Sequence, residues 1–280
     1  MTRLLTGLEN QQTNGSFTYS IVVADNDPGQ SAMATVAEFS KTSKIQAVYC
    51  HDAEPNIARA RNKALENATG EYIAFVDDDE FCAQDWLFNL RLACVKYEAD
   101  GVLGPVKPSF ESESPDWVIK GKFFDRPTHE TGYQIHWEEG RTGNVLFKSA
   151  ILNTDELPFH VKFDTAGEDV DFFRRMMAKG CKFVWCDEAV AYELIPASRC
   201  NRKYLLRRAL LRGSNFPKHP TGKLKNVVRS LIAVPLYTIA LPVLALFGQH
   251  VFLNYLIKLL DHASRLLAFA GLPLISQRQT

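Results

Sequence analysis

The sequence predicts an α/β protein with a mostly parallel central sheet flanked by helices. Three observations lead there. Strand-like and helix-like stretches alternate through the first 106 residues, the pattern of a sheet wound through helical crossovers. Two of the strand-like runs end abruptly in acids. Such ends are where the carboxyl edges of parallel strands form a ligand crevice. The organising stretch is Tyr72-Ile73-Ala74-Phe75-Val76, a short β-branched and aromatic run that follows Gly70 and leads into Asp77-Asp78-Asp79-Glu80. Adjacent carboxylates repel one another. They are tolerated where a divalent cation or a cationic ligand sits among them, or in a turn that caps the following helix.

Taken in order, residues 4–12 read as the end of an amphipathic helix and 14–16 as a loop. Residues 19–24 are a buried strand ending in Asp25-Asn26-Asp27-Pro28-Gly29, an acidic turn. Residues 31–40 are helical, 45–49 a strand, and 56–68 a helix stopped by Thr69-Gly70. Residues 85–97 are helical with Trp86, Leu87, Leu90, Leu92 and Val95 as the apolar positions, and 100–106 form one more short strand. Regularity then breaks over 107–141, a stretch dense in aromatics (Trp117, Phe123, Phe124, His129, Tyr133, His136, Trp137). A connection of that length is functional or disordered, and aromatic density argues against disorder. Aromatic faces suit the flat C–H surfaces of sugar rings and suit a core equally well. Residues 142–147 return to strand character, 163–180 hold a helix with an acidic start at Glu168 and Asp169, and 182–185 and 189–193 are two short strands.

At 280 residues the chain has room for one large or two modest domains. Its net charge of zero gives no general case for nucleic acid. The charge is nevertheless sorted. No Asp or Glu occurs between Leu194 and Leu260, while Arg199, Arg202, Lys203, Arg207, Arg208, Arg212, Lys218, Lys223, Lys225 and Arg229 crowd the first half of that stretch. This favours an anionic partner such as phosphate or a lipid headgroup. Six cysteines without CxxC or zinc spacing read as reduced thiols in a cytosolic-facing protein. Residues 1–30 lack the continuous apolar core of a signal peptide.

The last segment differs in kind. Residues 230–257 are 28 positions without a formally charged side chain, interrupted by Pro235 and Pro242. Three arrangements fit: a kinked transmembrane helix, a re-entrant or interfacial helix pair, or a hairpin packed within a soluble protein. The basic run ahead of it favours membrane association through 230–272 on the cytoplasmic side.

The run Ala60-Arg61-Asn62-Lys63-Ala64-Leu65, the stretch from Ala68 through Glu80, and Trp86-Leu87 together resemble the donor-binding half of family-2 glycosyltransferases of GT-A fold. Thr142-Gly143-Asn144 and Gly167-Glu168-Asp169 resemble the acceptor-side and catalytic motifs that follow. The resemblance covers about residues 4–212, is strongest to bacterial exopolysaccharide transferases of the succinoglycan type, and rests on order and spacing rather than on any one motif. It implies a GT-A domain over 1–212, with a donor half to about 106 and an acceptor and catalytic half beyond, followed by a basic and then apolar membrane-associating segment over 213–280. It implies an inverting enzyme moving a hexose from a nucleotide-diphosphate sugar to a lipid-linked or polysaccharide acceptor at the cytoplasmic membrane face. Mg²⁺ or Mn²⁺ would neutralise the diphosphate leaving group.

The resemblance also distributes roles. Asp79 and Asp77 match the DxD positions, Asp79 coordinating the ion directly and Asp77 lying near the ribose or the ion, with Asp78 assisting on the nucleotide-sugar side. Asp25 or Asp27 matches the acid that contacts the nucleobase, Arg61 a basic residue that holds the nucleotide, with Arg59 beside it, and Asn144 falls on the nucleotide-sugar side. Asp169 matches the general base that takes the acceptor hydroxyl proton, with Glu168 orienting it. Two departures stand out. The family begins with a strand ahead of its first helix, whereas this chain starts inside that helix, so the first strand is missing from the expected sheet. Where many relatives carry a His after the late strand, this sequence has Tyr192-Glu193, making Glu193 a substitute metal ligand or a strand-end acid. Two competing readings follow: an impaired family member that binds a partner without turnover, and a nucleotidyltransferase, whose Gly-rich phosphate loop is not found here.

Overall fold

A computed structural model describes residues 1–152, 156–163, 167–214, 223–272 and 274. The expected Lys218 of the basic run lies outside them. The chain forms two compact units, one of residues 1–108 and 126–194 and the other of residues 109–125 and 195–280.

The first unit opens with helix α1 (Thr2–Glu9), whose Leu4, Leu5 and Leu8 repeat at helical spacing and are buried together. Strand β1 (Ile21–Asp25) follows, then α2 (Met33–Thr42), β2 (Ala47–His51) and α3 (Ile57–Glu66). β1 and β2 pair in parallel through Ile21–Ala47 to Asp25–His51, as a helical crossover requires. α3 begins where the Asn56 side chain accepts the Arg59 N–H. Strand β3 (Tyr72–Val76) carries the acidic run at its end, and β4 (Glu80–Cys82) and α4 (Trp86–Lys96) follow. The single strand expected over 100–106 is two, β5 (Gly101–Leu103) and β6 (Val106–Phe110), because Gly104-Pro105 breaks it.

The expectation of a mostly parallel sheet needs correction. β7 (Asn144–Lys148) runs antiparallel between β3 and β5, and β8 (Phe183–Trp185) pairs parallel with β5, so the four-stranded sheet β3-β7-β5-β8 is mixed. The long connection before β7 permits this, since a strand reached without a short helical crossover is free to enter from the opposite end. β7 is fully buried at Val145, Leu146 and Phe147, and Phe147 meets Phe75 and Phe172. Helix α6 (Glu168–Ala178) covers this core through Phe172 and Phe173. β9 (Ala191–Ile195) pairs antiparallel with β4, setting Glu193 opposite Glu80. Residues 131–135 lie along β8, Trp185 N–H donating to Tyr133 O at 2.9 Å and Ile135 N–H to Phe183 O at 3.1 Å. Part of the long aromatic stretch is therefore ordered sheet edge.

The second unit contains α5 (Asp116–Gly121), α7 (Arg202–Ser214), α8 (Lys223–Leu244) and α9 (Gln249–Phe269). Its core gathers Val118, Phe124, Ile195, Cys200 and Leu205, with Trp117 and Phe123 against it. Those aromatics of the 107–141 stretch are thus packing residues.

Candidate active site

The site is built at the end of β3. Asp77 leaves the strand half-buried, Asp78 and Asp79 are exposed, and Glu80 turns back into β4 through its N–H to Asp77 O at 3.1 Å. Glu80 is 2% exposed, and neither carboxylate oxygen has a hydrogen bond. Burial first, and then the neighbouring Asp77, push its pKa up to about 9. Asp77 still reaches solvent with 45% of its side chain, yet the walls around it desolvate it enough to raise its pKa, with Arg61 opposing the shift. Gly143, just before β7, is what lets the two carboxyl groups close on the sheet. A Cβ there would stand 2.9 Å from Asp77 Oδ2 and 3.1 Å from Glu80 Oε1.

The guanidinium groups of Arg126 and Arg61 face this cluster. Arg126 Nη2 lies 2.6 Å from Glu193 Oε2 and 3.9 Å from Glu80 Oε1, clasping the two acids that oppose each other across β4 and β9. Arg61, on α3, pairs with Glu168 and stands 3.9 Å from Asp77 Oδ1. Glu168 and Asp169 begin α6 after Gly167, whose φ of 102° lies in the left-handed region that favours glycine. Burial raises the Glu168 pKa, Arg61 opposes the rise and Asp169 adds to it. Asp169 is half-buried and accepts the Val170 N–H at 2.7 Å. The expected catalytic pair, Arg61 and the acidic triplet thus come from α3, β3 and α6 to one place. Carboxylates gather there, and neither of the buried Glu80 oxygens has a hydrogen bond. That donor set of hard oxygens fits a divalent ion. Among the described residues, however, no three His, Cys, Asp or Glu side chains gather into a metal-binding group. The expected trio Asp77, Asp79 and Glu193 is not collected, because Glu193 is turned onto Arg126.

Other predicted residues sit apart or are committed to the scaffold. Asp25 ends β1 and accepts the N–H groups of Asp27 and Ala32 at 2.9 and 3.0 Å and the Tyr49 hydroxyl at 3.1 Å. Asp27 is exposed in the turn, its pKa lowered by the Gly29 N–H and then by Ser31. Arg59 is engaged by Asp52 at 3.0 Å and Glu54 at 3.3 Å. Asn144 is 2% exposed and knits four segments: Trp86 Nε1 donates to its Oδ1 at 2.8 Å, and its Nδ2 donates to Pro105 O and Ala189 O.

Sequence reasoning missed Glu80 and Arg126 as members of the site, and it missed the anchor of α6. Asp171, 1% exposed, receives Arg175 Nε at 2.8 Å and Arg174 Nη2 at 3.1 Å and lies 2.9 Å from His160 Nδ1. Burial raises its pKa, but the two arginines outweigh burial and hold it below the ordinary value. The i,i+3 and i,i+4 spacing of Asp171, Arg174 and Arg175 was the available signal. Arg126 had none, since it comes from an irregular stretch.

Known proteins bear on this arrangement. The sequence pattern described as glycosyl transferase family 2 matches residues 1–153. A succinoglycan biosynthesis protein, ExoM, of Rhizobium meliloti is 33% identical over 199 residues, covering 69% of this chain and 62% of that protein. The chondroitin synthase of Pasteurella multocida is 24% identical over 228 residues, covering 69% of this chain and 23% of the synthase. The chain therefore spans less than two thirds of the length of these relatives. Among solved structures, S. aureus TarS 1–349 in complex with UDP-GlcNAc superposes with a TM-score of 0.54 at 16% identity, covering 85% of this chain and 68% of that one. GalNAc-T7 with UDP, GalNAc and Mn²⁺ gives 0.52 at 12% identity, over 72% of this chain and 44% of the other. These likenesses establish the GT-A fold, and the sequence match over more than half the chain establishes the lineage: this protein belongs to glycosyl transferase family 2.

Proposed function

We propose that the protein is an inverting, metal-dependent hexosyltransferase that takes its sugar from a nucleotide diphosphate and places it on a lipid-linked or polysaccharide acceptor during assembly of cell-surface polysaccharide. The observation that carries this reading is the convergence of Asp77, at the head of the acidic run, with Arg61 and the Glu168–Asp169 pair from three elements at one place. The relative acting in succinoglycan biosynthesis supports the polysaccharide setting, and the neighbour holding UDP-GlcNAc supports the donor class.

Asp79 and Asp77 would hold a Mg²⁺ or Mn²⁺ ion, which when bound supplies positive charge to the leaving diphosphate. Arg61 steadies the nucleotide side of the cleft. Asp169 takes the acceptor hydroxyl proton, and Glu168, fixed by Arg61, sets the first turn of α6 that carries Asp169. Asp27, exposed in its turn, is the better placed of the two early acids to meet a nucleobase. Residues 1–212 carry transfer. Residues 213–280 associate with the cytoplasmic face of the membrane, where a lipid-linked acceptor resides. The test is donor turnover with Mn²⁺ or Mg²⁺ across a set of nucleotide sugars, comparing wild type with Asp79→Ala and Asp169→Asn. Undiminished transfer in both variants would end the assignment.

A further inference from the structure

Helices α8 and α9 of the second unit are joined by the short turn Ala245–Phe247 and Gly248. Two contacts fix their register. Ser230 Oγ lies 2.9 Å from His262 Nδ1, and the Tyr237 and Tyr255 rings meet edge-on at 5.7 Å. Both pairs are symmetric about Leu246, so the helices form an antiparallel hairpin with its tip at Leu246 and Phe247. The base of this hairpin is polar and closed. Asp261 takes Arg212 Nε at 3.0 Å and Arg265 Nη2 at 2.9 Å, and Ser264 donates to Leu210 O at 2.7 Å and meets Ser214 at 2.9 Å.

Toward the tip the character reverses. Leu231, Ile232, Leu236 and Ile239 of α8 are exposed, and so are Leu246 and Phe247 of the turn. Leu224–Phe247 is long and apolar enough to cross a membrane, and only 11% of its most apolar window is buried. A core helix of a soluble protein would be mostly covered, so this face awaits an apolar environment. Thr238 donates to Val234 O at 2.8 Å and Asn254 to Gly121 O at 2.9 Å, so both are satisfied inside the protein.

Geometry then decides how a bilayer would be met. By the register, Lys258 stands level with Val234, and every fixed charge of the hairpin lies at or below that level. From there to the tip is 13 residues, roughly 20 Å of helix at about 1.5 Å per residue. The hydrocarbon core is about 30 Å thick. The hairpin enters and stops short of the far side. A straight span by α8 alone would carry α9 across and break the Ser230–His262 and Tyr237–Tyr255 contacts. At the base, exposed Arg202, Lys203, Arg207, Lys225 and Arg229 offer positive charge to anionic headgroups. We infer that α8 and α9 form a re-entrant hairpin that enters one leaflet tip-first, both ends remaining on the same side, with the basic base on anionic lipid. This rests on the membrane association proposed above and adds its topology.

The test uses the full chain with a C-terminal epitope, expressed in a bacterial host, and the purified protein on vesicles. The hairpin predicts that external protease removes the epitope in inverted vesicles and spares it in intact spheroplasts. It predicts flotation with phosphatidylglycerol-containing vesicles at least tenfold stronger than with phosphatidylcholine alone. It also predicts a tenfold loss on Leu246→Asp with Phe247→Asp, in a variant whose helix content by circular dichroism is unchanged. Cleavage of the epitope in spheroplasts would show a single span and overturn the hairpin while keeping membrane association. Binding undisturbed by the tip variant, or indifferent to lipid charge, would overturn tip-first entry or the basic base. A wild-type chain that stays soluble and floats with neither vesicle would overturn the membrane reading itself and leave the apolar face to a protein partner.

Discussion

Arg61 on α3 and Glu168 on α6 form an ion pair across 107 positions of sequence, and both side chains are almost wholly removed from water. Removing one member of such a pair strands the other charge. Arg61→Ala should cost about 3–5 kcal/mol in urea unfolding and reduce transfer by at least a hundredfold. Arg61→Ala combined with Glu168→Gln should recover most of the stability and none of the activity. A double variant as unstable as the single one would show that the pair is not the link between the helices.

Glu80 gives the fold a dependence on pH. The unfolded chain ionises this residue near 4.5, whereas the folded protein keeps it protonated to about 9. The unfolded state sheds its proton first as pH rises, so stability falls between those values, by at most about 1.4 kcal/mol per pH unit from this group. Urea unfolding with EDTA present, followed from pH 5 to 9, should show the decline in wild type. Glu80→Gln should flatten it.

Asp171 acts with the opposite sign. Its folded pKa lies below the ordinary 3.8, so its contribution is present above that value and lost as pH falls through the lower folded one. Asp171→Ala leaves Arg174 and Arg175 without their shared acceptor. It should cost about 3 kcal/mol and loosen the start of α6, seen as faster amide exchange there and a fall in kcat larger than the change in donor KM.

Gly143→Ala places a methyl group against Asp77 and Glu80. The expected result is a folded protein, with Tm lowered by only a few degrees, whose donor KM rises at least tenfold while acceptor KM stays near wild type. An unchanged donor KM would separate these two carboxylates from donor binding.

Metal removal should report on the acidic run alone. Dialysis against EDTA should abolish transfer, Mn²⁺ or Mg²⁺ should restore it, and Asp79→Ala should need far higher metal for half-maximal rate. Asp169→Asn should keep the wild-type metal requirement while losing at least a thousandfold in kcat.

What the sequence disclosed, and what it withheld, follows from range. β3 falls where its pattern places it, over residues 72–76, because a β-branched run between a glycine and a cluster of acids is a local signal. α1 and α4 follow for the same reason, their apolar positions recurring at helical spacing. The antiparallel course of β7 was hidden, since side-chain alternation does not encode strand direction. So was the β4–β9 pairing: three residues directly after an acidic turn carry too little pattern to announce a strand. In the site, Asp77, Glu168 and Asp169 were legible as carboxylates placed where elements begin or end. Glu80 resembled one more exposed acid of a turn, and only tertiary packing reveals that it is buried. Asn144 lay in a legible motif, but its three hydrogen bonds tie it to segments distant in sequence.

The β4–β9 ladder has a consequence for the growing chain. Glu80 emerges early in synthesis, yet its partner strand and the facing Glu193 follow 113 positions later, and Arg126 comes between. Until those arrive, Glu80 lacks both the strand it pairs with and the guanidinium that faces it, and water must serve for both. The cleft is therefore among the last parts of the first unit to close, because pairings this distant follow the local ones. Chains released before β9 would carry the complete acidic run and lack a working pocket. A ribosome-bound series of increasing length should gain protease resistance around Asp77 only once residue 195 has cleared the exit tunnel.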